Sequence, residues 1–136
     1  MGFGPYYEGL TIENTFGSKD PANVYLGFSL TSIAQAGICT EPNQSCYRRV
    51  GISNNLTNFP VANLGYKTNA LPLLFETPQT AWGQVLDFVF FNSLTCAATL
   101  ANILAYGSLV TPANIGPGRL VVFRPYSIRV GFVLEV

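Results

Sequence analysis

Trp82-Gly83-Gln84-Val85-Leu86-Asp87-Phe88-Val89-Phe90-Phe91 is the stretch that decides the fold class. Read with a period of two, it places Trp82, Leu86, Phe88 and Phe90 on one side and Val85, Asp87, Val89 and Phe91 on the other. Both sides are apolar apart from Asp87, which predicts a central strand covered on both faces. Upstream, the turn residues Lys19 to Asn23 lead into a second alternation. There Val24, Leu26, Phe28 and Leu30 share one face, and Tyr25, Gly27 and Ser29 share the other, which predicts a half-buried strand. Short strands are expected at Tyr47–Ile52 and Leu71–Phe75, with loops over 35–46 and over most of 53–70. Downstream, 93–106 reads as a loop or helical turn that gives way to a strand. Arg119–Arg124 and Ser127–Val136 close the chain as strands, the second with Ile128, Val130, Phe132 and Leu134 on one side.

About seven short strands separated by turn residues predict an all-β fold, an antiparallel sandwich of jelly-roll type over residues 21–136. Its expected core is Val24, Leu26, Phe28, Trp82, Leu86, Phe88, Ile128, Val130 and Phe132. Residues 1–20 read as a separate N-terminal arm, in which Leu10 to Phe16 has the length of one or two helical turns stopped by Gly17. The arm carries Phe3, Tyr6, Tyr7, Leu10, Ile12 and Phe16, while Gly2, Gly4, Pro5 and Gly9 disfavour an early helix. Six large apolar side chains in so short a segment predict a protein interface.

The 136 residues suit one domain and are 49% hydrophobic but 10% charged, with seven basic and seven acidic side chains that cancel. A charged fraction of about 25% is usual. Low charge and many aromatics exclude disorder, and the lack of a basic excess excludes nucleic-acid binding. A small domain with so few charges needs its surface covered, most simply by copies of itself. No apolar run is long enough for a transmembrane helix, so no membrane insertion is expected, and the N-terminus lacks a secretory signal pattern.

The chain contains no histidine, which removes Ser-His and Cys-His nucleophilic pairs and His-bearing zinc sites. Cys39, Cys46 and Cys96 do not complete a metal site; Cys39 and Cys46 could close a small loop as a disulfide, but three reduced thiols in or near the core are the expectation. Asp87, Glu76 and Glu41 are the carboxylates from which a glycosidase pair could be drawn, yet no spacing sets two of them on one strand face. Asp87 is expected at a strand–loop edge or paired with an arginine. By alternation, one of Arg48 and Arg49 points outward and the other enters an internal ion pair. Gly116-Pro117-Gly118 lacks the lysine and helix of a phosphate loop and reads as a turn. No catalytic, cofactor or metal residue is therefore expected. Tyr6, Tyr7, Tyr47, Tyr66, Trp82, Tyr106 and Tyr126 are candidates for stacking on sugar rings, which keeps a glycan-binding sandwich used in host-surface adhesion as the alternative.

Several segments, in order, carry a resemblance. They are Pro21-Ala22-Asn23-Val24-Tyr25-Leu26-Gly27-Phe28-Ser29, Tyr47-Arg48-Arg49-Val50, Phe75-Glu76-Thr77-Pro78-Gln79-Thr80-Ala81-Trp82-Gly83-Gln84-Val85, and Leu104-Ala105-Tyr106-Gly107-Ser108-Leu109. Across residues 12–134 the order resembles the small tailed-phage virion proteins labelled phage tail fibre protein. The Trp82-Gly83 and Ala105-Tyr106-Gly107 segments are its specific part. Glu76 stands where the family has proline, and Phe91-Asn92 where it has Phe-Asp. The resemblance implies a non-enzymatic virion component of the tail fibre, neck or collar, or head decoration. It also implies a homo-oligomer, a trimer first, that contacts other virion proteins and is made in the host cytoplasm.

Overall fold

The computed structural model describes residues 22–44, 46–61 and 66–131, with only the backbone of Tyr66, Val130 and Gly131. Its elements run β1 (Asn23–Ser29), α1 (Ile33–Ala36), β2 (Val50–Ser53), β3 (Tyr66–Thr68), β4 (Leu73–Leu74) and β5 (Gly83–Phe91). A 3-10 turn at Leu100–Asn102 then leads into β6 (Ile103–Ile115), β7 (Val122–Phe123) and β8 (Arg129–Gly131). The fold is nearly all-β with antiparallel sheets, as the alternation predicts. The described residues divide into two compact units, 22–23 with 52–61, 66–73 and 123–131, and 24–51 with 74–122.

In the second unit lies most of a four-stranded sheet of order β2-β1-β5-β6. β5 is central, pairing antiparallel with β1 (Phe28 opposite Phe88) and with β6 (Phe88 opposite Gly107). Val24, Leu26 and Phe28 of β1 are buried, and so are Val85, Val89, Phe90 and Phe91 of β5. One face is covered by Phe75, whose ring stacks on Phe28 with centroids 4.6 Å apart, and by Trp82, edge-on to Phe75 at 6.1 Å. Offset and edge-on aromatic contacts of this kind add to simple area burial. The opposite face is covered by Ile33 of α1, packed with Val89 and Phe91.

Leu86 and Phe88 depart from the expected core. They are half-buried, because the side of β5 that seals completely carries Val85, Asp87, Val89 and Phe91. α1 was not foreseen within a stretch read from 35 onward as loop. It is a single turn closed by Gly37, whose left-handed φ of 71° suits a residue without Cβ. β6 starts at Ile103 after the 3-10 turn, as the reading of 93–106 expects.

In the first unit β3 and β8 pair antiparallel, Lys67 opposite Val130. β3 lies in a stretch read mainly as loop. Asn69, 2% exposed, fixes the neighbouring turn. Its side-chain amide donates to the carbonyls of Leu71 and Arg124, and its Oδ1 accepts from Ile128 N–H. Lys67 is also buried, and its ammonium donates to the Phe59 carbonyl at 3.3 Å. Ile128 is buried as expected, while Phe132 lies outside the described residues. The strands read at 119–124 and 127–136 shorten to Val122–Phe123 and, among the described residues, Arg129–Gly131.

Candidate interaction surface

A polar cluster of the second unit forms where β2 is too short to pair the whole outer edge of β1. There the backbone N–H of Phe28 finds a side chain instead of a strand, donating to the Tyr47 hydroxyl at 3.0 Å. That hydroxyl donates to Glu41 Oε2 at 2.6 Å. Arg49 completes the group with Nε 3.0 Å and Nη2 2.6 Å from the two Glu41 oxygens, a bidentate fork. Its remaining donors reach the carbonyls of Ser93 and Cys96, and its guanidinium lies 3.6 Å above the centre of the Phe91 ring. Gly27 leaves the space for this, since a Cβ there would sit 2.5 Å from Tyr47 Oη and 3.1 Å from Glu41 Oε2.

The electrostatics follow from this packing. Burial pushes the Tyr47 phenol well above its usual range, and the Glu41 charge beside it pushes the same way. For Arg49, burial works against the charged form, but the hydrogen bonds and charge of Glu41 outweigh it and the net direction is upward. Arg49 is thus the internal ion-pair partner that alternation predicts. Arg48 points outward, 3.7 Å from Glu76 with both side chains largely exposed, a pair of little energetic consequence. A shallow groove of about 530 Å³ runs past Arg48, Leu94 and Thr95 above this cluster.

Asp87 corrects its expectation. It lies inside β5 at 1% exposure, neither at a strand end nor paired with an arginine. Its Oδ2 accepts the Ile33 N–H at 2.8 Å, which anchors α1 on the sheet. The three carboxylates considered for catalysis therefore have separate partners: Asp87 the Ile33 amide, Glu41 the Arg49 fork and Glu76 the surface Arg48. Cys39, Cys46 and Cys96 are each partly buried. Burial raises the Cys39 thiol pKa, against a smaller opposite effect of its hydrogen bond to Ser29.

Of the aromatic candidates, Trp82 is buried, and Tyr47 is half-buried with its ring edge-on to Trp82 at 5.2 Å. Tyr106 and Tyr126 are exposed, at 45% and 65%. Tyr6 and Tyr7, with the other arm residues Phe3, Leu10, Ile12 and Phe16, lie outside the described residues. Exposed apolar side chains also follow the hairpin of β5 and β6, namely Leu94, Leu100, Tyr106 and Val110. No charged residue occurs between Asp87 and Arg119. That gap is visible in the sequence, but only the structure shows that much of it lies on the surface.

Such a chain is a structural β-protein, with its polar cluster engaged in joining loops to a sheet and its outward features mainly apolar. The chain belongs to the podophage GP4 fiber I protein gp80 family, whose model matches residues 6–131. It is accordingly a phage fibre protein, a structural component of the virion. No curated protein matches it. No helix among the described residues is long and apolar enough to cross a membrane.

Proposed function

We propose that the chain is a non-catalytic, self-assembling part of the phage particle, at the tail fibre, neck or head surface, attached through residues 1–16. The observation that carries this reading is the family match over residues 6–131. The exposed apolar side chains of the second unit support it, because such surface in a chain of so little charge suits burial in an assembly. Phe3, Tyr6, Tyr7, Leu10, Ile12 and Phe16 supply the attachment contacts, and the resemblance favours three copies. The test is deletion of residues 2–9. The shortened chain is expected to fold, by far-UV circular dichroism, and to be missing from purified particles. Normal incorporation, or failure to fold, removes the arm as the attachment element.

One observation favours adhesion to a host glycan as a second reading. Tyr126 combines an exposed ring with a left-handed φ of 63°, a conformation rare for a bulky residue. Its amide donates to the Asn69 carbonyl at 2.6 Å, which holds the strained turn in place. Binding on a glycan array that is lost in Tyr126→Ala would put this reading first.

A further inference from the structure

The two edges of the four-stranded sheet are finished differently. At the β2 edge the strand is four residues long, and the Tyr47 hydroxyl takes up the Phe28 N–H beyond it. At the other edge β6 runs for 13 residues, and among the described residues no strand pairs with its outer side. Natural edges are commonly guarded by charged side chains, proline or bulges. β6 has Pro112 and a bulge, since its register with β5 jumps from Ala113 opposite Val85 to Ser108 opposite Asp87. Between that bulge and the irregularity at Phe90/Phe91, Ala105 to Ser108 forms a regular ladder with β5 and has no such guard.

We propose that this edge pairs antiparallel with the same edge of a second copy, in a register centred on Tyr106. The inference rests on the reading above that the chain self-assembles. Four features select a second copy as the occupant. An antiparallel pair about a two-fold axis is self-complementary, so one edge strand can satisfy another identical one. The hairpin has no charge between Asp87 and Arg119, so two copies meet without like-charge repulsion, and an acidic or basic partner would find no complement. Opposed residues must share a sheet face, which the centring on Tyr106 achieves: Tyr106 meets its own counterpart and Ala105 meets Gly107. Finally, Tyr106 is 45% exposed and Val110, at the bulge, is fully exposed, so the contact gains an aromatic pair and apolar flanks. The ladder is short, so association in the micromolar range is expected, as for small interfaces.

Tyr106→Lys and Tyr106→Glu test this. Each places like charges directly opposite one another in the pair, while an equimolar mixture places Lys opposite Glu. By analytical ultracentrifugation the unaltered chain is expected to form even-numbered species, a pair of chains or two three-fold assemblies joined edge to edge, and each variant alone to associate at least tenfold more weakly. The mixture is expected to regain most of the loss. On the unaltered chain, hydrogen–deuterium exchange should show amides of residues 104–108 becoming more protected as concentration rises, a readout independent of how the variants fold. A three-fold oligomer indifferent to both substitutions overturns the edge pairing and leaves self-assembly standing. A chain that stays monomeric throughout overturns the edge pairing and the self-assembly reading together, while arm attachment stays open to the deletion of residues 2–9.

Discussion

Two glycines in the segments that carry the family resemblance leave room for side chains, and they do so to different degrees. At Gly27 an added methyl group would meet the Tyr47 hydroxyl at 2.5 Å and Phe91 Cε2 at 3.1 Å. Tyr47 is held by Glu41 and by the Phe28 amide, and Phe91 is fully buried, so neither can yield easily. At Gly107 the methyl would meet Phe88 Cζ at 2.7 Å, the far end of a half-exposed ring that can swing aside. Gly27→Ala should therefore lose about 1–3 kcal/mol, in the range for overpacked cores, and Gly107→Ala less than half as much. Urea unfolding of the two variants measures the difference, and equal losses would show that Tyr47 is not pinned as described.

At the scale of elements, Arg49 is the tie between the segment entering β2 and the loop that joins β5 to β6. One guanidinium bonds Glu41 on one side and the carbonyls of Ser93 and Cys96 on the other. Arg49→Met keeps the stem but leaves Glu41 without its cation, and losing one partner of a buried pair destabilises by about 3–5 kcal/mol. Replacing Glu41 and Arg49 together by Met should cost clearly less than the sum of the single changes, because no unpaired charge then remains. Additive losses in urea unfolding would mean that the pair contributes little. Much of this region was legible in sequence. Alternation turned one arginine inward, and the apolar character of both sides of 82–91 placed β5 in the middle of a sheet. The partner of Asp87 was not legible, since the Ile33 amide lies 54 residues away and a one-turn helix has no periodicity to detect. Nor was the half-exposure of Leu86 and Phe88, because alternation separates two faces without saying which one the rest of the chain seals. The arm residues singled out in sequence, from Phe3 to Phe16, lie outside the described residues and rest on the deletion experiment.

For the whole molecule, the same cluster sets how stability responds to alkali. Burial raises the Tyr47 pKa above its ordinary 10.0, and the Glu41 charge adds to this. The folded chain thus keeps a proton that the unfolded chain releases above about pH 10. Below that, both states hold the proton and stability does not depend on it. As pH rises past the unfolded value, the folded state binds more protons than the unfolded one, and stability falls at up to about 1.4 kcal/mol per pH unit. Cys39, raised by burial above 9.0, acts in the same direction from a slightly lower pH. Alkali acts on more than this one side chain, so the informative quantity is the gap between the unaltered chain and Tyr47→Phe. At pH 8 the variant should be less stable, because the Phe28 amide loses its hydroxyl acceptor and Glu41 Oε2 keeps only the Arg49 donor. From pH 10 upward that gap should narrow, since only the unaltered chain must hold the Tyr47 proton against rising pH. Urea midpoints at pH 8, 9, 10 and 10.5 measure it, and a gap that stays constant would mean that the Tyr47 hydroxyl is not sealed in the folded molecule.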